Sequence, residues 1–163
     1  MAVTTQLSAE YTIQTTTPIV NSNTVDKHGK LRTLFFSHDQ DGAGDANSTV
    51  TLGKLPAGKV KIIGGLSRFY CNWVTSSQTM DIGWTAYTDL DGDAVALDVD
   101  GMVDGLDVDA VGYFSMESNI AAGKLKGGNY TFESRDGVII KALAIAALAD
   151  GDDLCGYITY VID

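Results

Sequence analysis

The stretch Leu154-Cys155-Gly156-Tyr157-Ile158-Thr159-Tyr160-Val161-Ile162 decides the fold class. Successive side chains of an extended chain alternate between two faces. Cys155, Tyr157, Thr159 and Val161 fall on one face, and Leu154, Gly156, Ile158, Tyr160 and Ile162 on the other. Both faces are largely apolar, so the stretch reads as a central strand covered on both sides.

Outward from it, short strand-like runs recur at regular intervals. They are Leu31–Ser37, Ser48–Leu52, Lys59–Ile63, Arg68–Val74, Met80–Tyr87, Tyr113–Met116, Tyr130–Ser134 and Val138–Ala146. Turn formers punctuate them: Asp41-Gly42-Ala43-Gly44, Pro56-Ala57-Gly58, Gly64-Gly65, Asp91-Gly92, Gly127-Gly128, Asp136-Gly137 and Asp150-Gly151. Many short strands between Gly/Asp turns predict an all-β antiparallel sandwich or barrel. Residues 138–149 are apolar enough for a buried strand or a helix; the Val-Ile-Ile start and the flanking Asp-Gly pairs favour a strand. Residues 104–112 read as a loop or a single helical turn. No helix longer than about three turns is expected. Residues 1–30 are Thr-rich, poor in large apolar side chains and interrupted by Pro18, and read as an extended N-terminal arm. Residues 31–163 form the single sandwich domain of this reading.

Apolar residues make up 45% of the 163-residue chain and charged residues 20%, a globular balance. Eighteen glycines against two prolines fit many tight turns. No apolar stretch reaches a membrane-spanning length, and no secretory leader is visible at residues 1–10. Net charge is −10. No Lys or Arg occurs between Arg68 and Lys124, an interval holding nine Asp and Glu117, so the excess charge lies in one internal segment. Such a protein repels phosphate backbones, which argues against nucleic-acid binding. Cys71 and Cys155 make neither a CxxC pair nor a metal cluster. They read as buried free thiols, with a disulfide between them left open by the sequence.

Chemical constellations are sparse. Asp89, Asp91 and Asp93 open like a calcium loop, but the sixth position is Ala94 and the twelfth Asp100. They are weak metal candidates; turn chemistry accounts for Asp beside Gly equally well. The two histidines, His28 and His38, sit in no hydrolase motif. Ser37-His38-Asp39 has triad residue types as immediate neighbours, which point to opposite faces of a strand and cannot form a relay. Glycine loops match neither Walker nor Rossmann spacing. The expectation is a protein with no catalytic residues and no cofactor. Aromatic residues, Trp73 and Trp84 among them, read as core; a calcium-dependent carbohydrate-binding module would instead need one of these tryptophans exposed.

The run Gly53-Lys54-Leu55-Pro56-Ala57-Gly58-Lys59-Val60-Lys61-Ile62-Ile63 resembles a turn-and-strand segment of small virion proteins of tailed bacteriophages. Ile82-Gly83-Trp84, the acidic stretch, Asp104-Gly105-Leu106-Asp107, Gly137-Val138, and Leu154, Gly156, Tyr157, Tyr160 and Val161 resemble the same family in the same order. The resemblance covers roughly residues 31–163 and implies a capsid decoration (cement) protein with a jelly-roll-like sandwich. It implies the major capsid protein and further copies of the chain as partners, with no direct nucleic-acid or membrane contact. It also implies synthesis in the host cytoplasm and a place on the outer capsid surface. A tail or head-fibre component is the related alternative.

Overall fold

A computed structural model of the chain describes residues 30–73, 75, 77–117 and 129–162. The expected arm lies outside them except for Lys30, which begins the first strand. The strands are β1 (Lys30–Asp39), β2 (Thr49–Leu55), β3 (Gly58–Ile63), β4 (Arg68–Cys71), β5 (Thr79–Trp84), β6 (Tyr87–Thr88), β7 (Ala94–Val95), β8 (Asp98–Asp107), β9 (Gly112–Ser115), β10 (Asn129–Ser134), β11 (Val138–Ala144) and β12 (Asp153–Ile162). The described residues contain no α-helix, only a 3₁₀ turn at Gly64–Leu66.

Two antiparallel sheets face each other across the core. In the first, β12 pairs with β1 on one edge and with β3 and β4 on the other, and β10 and β9 flank β3 and β4. The six strands therefore make four rows: β1, β12, β3 with β4, and β10 with β9. The second sheet runs β2-β11-β5-β8. With the strand pairs merged, eight rows alternate between two sheets in the connection pattern of a jelly roll. The β6–β7 pair is a small separate ribbon.

The alternation read from the sequence sets which face is buried. Val138, Ile140, Ala142 and Ala144 of β11 all enter the core, which settles 138–144 as strand. Met80, Ile82 and Trp84 of β5 lie beside them, opposite Val60, Ile62, Phe69, Phe132, Leu154 and Ile158 of the first sheet. Each buried Val, Leu, Ile, Met or Phe among them contributes about 1.5–3 kcal/mol. Trp84 stacks on Tyr130 at 4.7 Å and meets Phe132 edge-on at 5.1 Å, tying β5 to β10 across the sandwich. Tyr87 meets Phe132 from the β6 ribbon at 5.9 Å.

Three expectations need correction. β8 occupies ground read as acidic loop, with residues 104–107 strand rather than a helical turn. Its register against β5 shifts twice, so Met102 and Val103 are both buried and the period-2 signal is lost. β5 stops at Trp84, short of the expected Tyr87, although the Thr85 amide still donates to the Ile139 carbonyl of β11. The outer face of β12 is only partly covered among the described residues: Cys155 and Tyr157 are half-buried.

The 3₁₀ turn that divides β3 from β4 leaves a gap in the ladder beside β12, and Ser67 fills it. The Thr159 amide donates to Ser67 Oγ at 2.9 Å, Ser67 Oγ donates to the Ile63 carbonyl at 2.8 Å, and Thr159 Oγ1 donates to the Leu66 carbonyl at 2.8 Å. Ser67 is fully buried. Ser67→Ala strands the Thr159 amide and is expected to cost about 1–3 kcal/mol in urea unfolding. Phe132→Ala, which opens a cavity beneath three aromatic rings, is expected to cost about 3–5 kcal/mol in the same measurement.

Candidate interaction surface

The outward residues of the first sheet form an exposed aromatic band. On β1, Leu34 and Phe36 turn toward the core, so Leu31 and Phe35 turn out; Phe35 is 75% exposed. Register places Phe35 beside Tyr157 and Cys155 beside Tyr70, which is beside Tyr113. The Phe35 and Tyr157 rings lie 5.9 Å apart, and those of Tyr70 and Tyr113 5.2 Å apart. Tyr113 is 85% exposed. Arg68, Tyr70, Tyr113, Cys155 and Tyr157 line one shallow hollow of about 200 Å³. A contiguous exposed apolar patch on a soluble domain marks a contact site. Aromatic and Arg side chains are the residue types that carry binding energy in such sites.

Charge is divided between the two sides. The band carries Arg68, and alternation with buried Val60 and Ile62 turns Lys59 and Lys61 to the same face, where Lys59 pairs with Glu133. The acids from Asp89 to Asp109 lie on the β6–β7 ribbon, on β8 at the far edge of the other sheet, and in the loops beside them. That other sheet has its own apolar trough of about 170 Å³, lined by Leu97, Val99 and Leu143 with Lys141.

Of the weak metal candidates Asp89, Asp91 and Asp93, the first serves a turn. Asp89 Oδ1 accepts the amides of Gly92 and Asp93, both at 2.8 Å. No group of three or more metal-ligating side chains occurs among the described residues. His38 faces Gln40 Oε1 at 3.2 Å, and His28 lies outside the described residues. Trp73 and Trp84 are both buried, which removes the sugar-stacking platform the carbohydrate reading required. No helix among the described residues is long and apolar enough to cross a membrane.

The two cysteines are neighbours in the sheet yet unpaired. Cys71 is opposite Leu154 and Cys155 opposite Tyr70, so one thiol enters the core and the other faces out. Burial pushes the Cys71 thiol up to about 12. Cys155 is half-buried, not buried as expected. Sequence reasoning assigned Phe35, Tyr70 and Tyr113 to the core; only the alternation of Phe35 with Phe36 hinted otherwise.

Asp81 is the other buried ionisable group of note. Its Oδ1 accepts the Gly105 amide at 2.6 Å and holds the bulged β8 onto β5. Burial raises its pKa; the Gly105 bond lowers it, and Asp104 and Asp100 raise it further. The folded state thus holds this proton more tightly than the unfolded chain. The stabilising share is full below the ordinary Asp range and is lost as pH rises through the folded pKa. Asp81→Asn, which keeps an acceptor, is expected to melt above the parent at pH 7, with the gap closing toward pH 4. In a native thiol assay one group, Cys155, is expected to react, and a second only after denaturation.

No family model and no curated protein sequence matches the chain. Among solved structures, it is similar to a chain of the cyanophage Pam1 capsid asymmetric unit. The TM-score is 0.50 at 11% identity, over 83% of this chain and 86% of that one. It is also similar to infectious bursal disease virus, Gt strain, with a TM-score of 0.52 at 9% identity over 88% of this chain. The match spans 34% of that viral chain. At these identities the likeness is one of fold: an all-β jelly roll of the kind found in these viral structures.

Proposed function

We propose that this chain is a non-enzymatic virion structural protein that decorates a bacteriophage capsid. In this reading it sits on the outer surface of the major capsid protein shell as a homo-oligomer, after synthesis in the host cytoplasm. One observation carries the proposal: its jelly roll matches a chain of similar length in a phage capsid asymmetric unit over most of both chains. The aromatic band of Phe35, Tyr70, Tyr113 and Tyr157 supports it as the shell-facing surface. The acidic ribbon and β8 then face solvent, where like charge keeps particles apart. Residues 1–30 supply a further contact to neighbouring subunits. Individually weak contacts become strong when repeated over a symmetric lattice.

Quantitative mass spectrometry of purified particles tests this. Hundreds of copies, in a simple ratio to the major capsid protein, are expected. A dozen copies would move the chain to a vertex, tail or head fibre, and absence would remove the structural reading. In a shell-binding assay, Phe35→Asp with Tyr113→Asp is expected to weaken attachment by at least about tenfold, since two exposed aromatic anchors each carry about 1–2 kcal/mol. Charge reversal at Asp98, Asp100 and Asp104 is expected to leave attachment intact.

A further inference from the structure

The first sheet sets an arginine among exposed rings. Phe69 and Cys71 of β4 enter the core, so Arg68 and Tyr70 turn out. Strand register then runs Phe35, Tyr157, Arg68 and Ser115 in one row across β1, β12, β4 and β9. In the next row Tyr70 lies beside Tyr113, their ring centroids 5.2 Å apart. The shallow hollow of about 200 Å³ sits where these rows meet, with Arg68 exposed on its wall. Apart from the Cys155 thiol, the side chains that line it with Arg68 are aromatic.

This setting fits one kind of group. A guanidinium is more weakly hydrated than an ammonium and rests readily against aromatic faces, so closing a partner over Arg68 costs less desolvation than closing it over a lysine. The rings exclude water from around the contact, and a charge pair gains strength as water leaves. A carboxylate answers the planar fork of the guanidinium with two parallel hydrogen bonds. Lys59 and Lys61 turn to the same face, so the local field there favours an anion.

We propose that the hollow takes a surface Asp or Glu side chain of the shell, its carboxylate on Arg68 and the neighbouring apolar surface of the shell against Tyr113, Tyr157 and Phe35. The inference rests on the capsid reading and adds to it the chemistry of the partner. A second copy of the chain is the poorer occupant, because it brings a further net charge of −10 to the contact and like charge opposes that approach.

Binding of the full chain to shells assembled from the major capsid protein alone tests this, before and after the shell carboxylates are blocked with carbodiimide and glycinamide. On untreated shells Arg68→Gln is expected to attach at least about tenfold more weakly than the parent. On blocked shells that remain intact by electron microscopy, parent and variant are expected to attach within about twofold of each other, since the group that Arg68 meets is gone. Near-UV circular dichroism of Trp73 and Trp84 checks that the variant is folded. If it is not, the parent's own loss of attachment on blocked shells, again at least about tenfold, decides the matter. A gap between parent and variant that persists on blocked shells overturns the proposal, because Arg68 then meets another group. Equal attachment on untreated shells also overturns it; if Phe35→Asp with Tyr113→Asp still weakens attachment, the capsid reading stands without it. A variant that loses self-association in sedimentation while keeping shell attachment assigns the hollow to a second copy and overturns the proposal as well. No attachment of the parent removes the capsid reading and this inference together.

Discussion

Every row of the first sheet takes its position from β12. That strand bonds β1 along one edge for ten residues and, along the other, bonds β3 at Tyr160–Ile162 and β4 at Leu154–Tyr157. Thr159 falls in the interval, where the second edge would lose its partner. Ser67 supplies the missing acceptor, and so the chain can bend through a 3₁₀ turn without leaving a buried amide unpaired. Gly156 permits a close approach to β4: a Cβ there would come within 2.4 Å of the Arg68 carbonyl oxygen. Backbone satisfaction and this close packing together fix β12 in register. The register in turn decides which side chains face the core and which form the aromatic band.

The same register separates two surfaces that differ in chemistry. Outward positions of β1, β4, β9 and β12 gather aromatic rings with Arg68 nearby, while the acids collect on the β6–β7 ribbon, β8 and their flanking loops. The separation is geometric, since β8 sits at the opposite end of the other sheet from β2, and β2 is the strand whose Gly53 packs against Leu34 of β1. A molecule built this way has one side suited to desolvated contact and another suited to water. That division is why the aromatic band rather than the acidic stretch forms the candidate surface.

Reading the residues in order found most of the architecture, and the failures have physical causes. β11 was legible because its buried residues keep strict alternation, and β12 because it is a long apolar run of strand-forming residues. β8 was not, because two register shifts put Met102 and Val103 both inside, so its pattern matches neither strand nor helix. The acidic stretch invited a metal reading, yet the Asp89 carboxylate is engaged by the backbone of its own turn. Cys71 and Cys155 looked alike in sequence context, but one-residue register differences put their thiols on opposite faces.

Composition, turn punctuation and period-2 hydrophobicity were enough to establish a β-sandwich with an internal acidic segment, because these are local properties of the chain. Which apolar residues remain exposed was not local. Phe35 and Phe36 are adjacent and chemically identical, and β12 is apolar on both faces. Only the pairing of distant strands, and a second sheet that among the described residues covers one side alone, decided that Phe36 packs against the core while Phe35, Tyr113 and Tyr157 line a surface. Burial depends on what lies across the gap, and that is set by residues dozens of positions away.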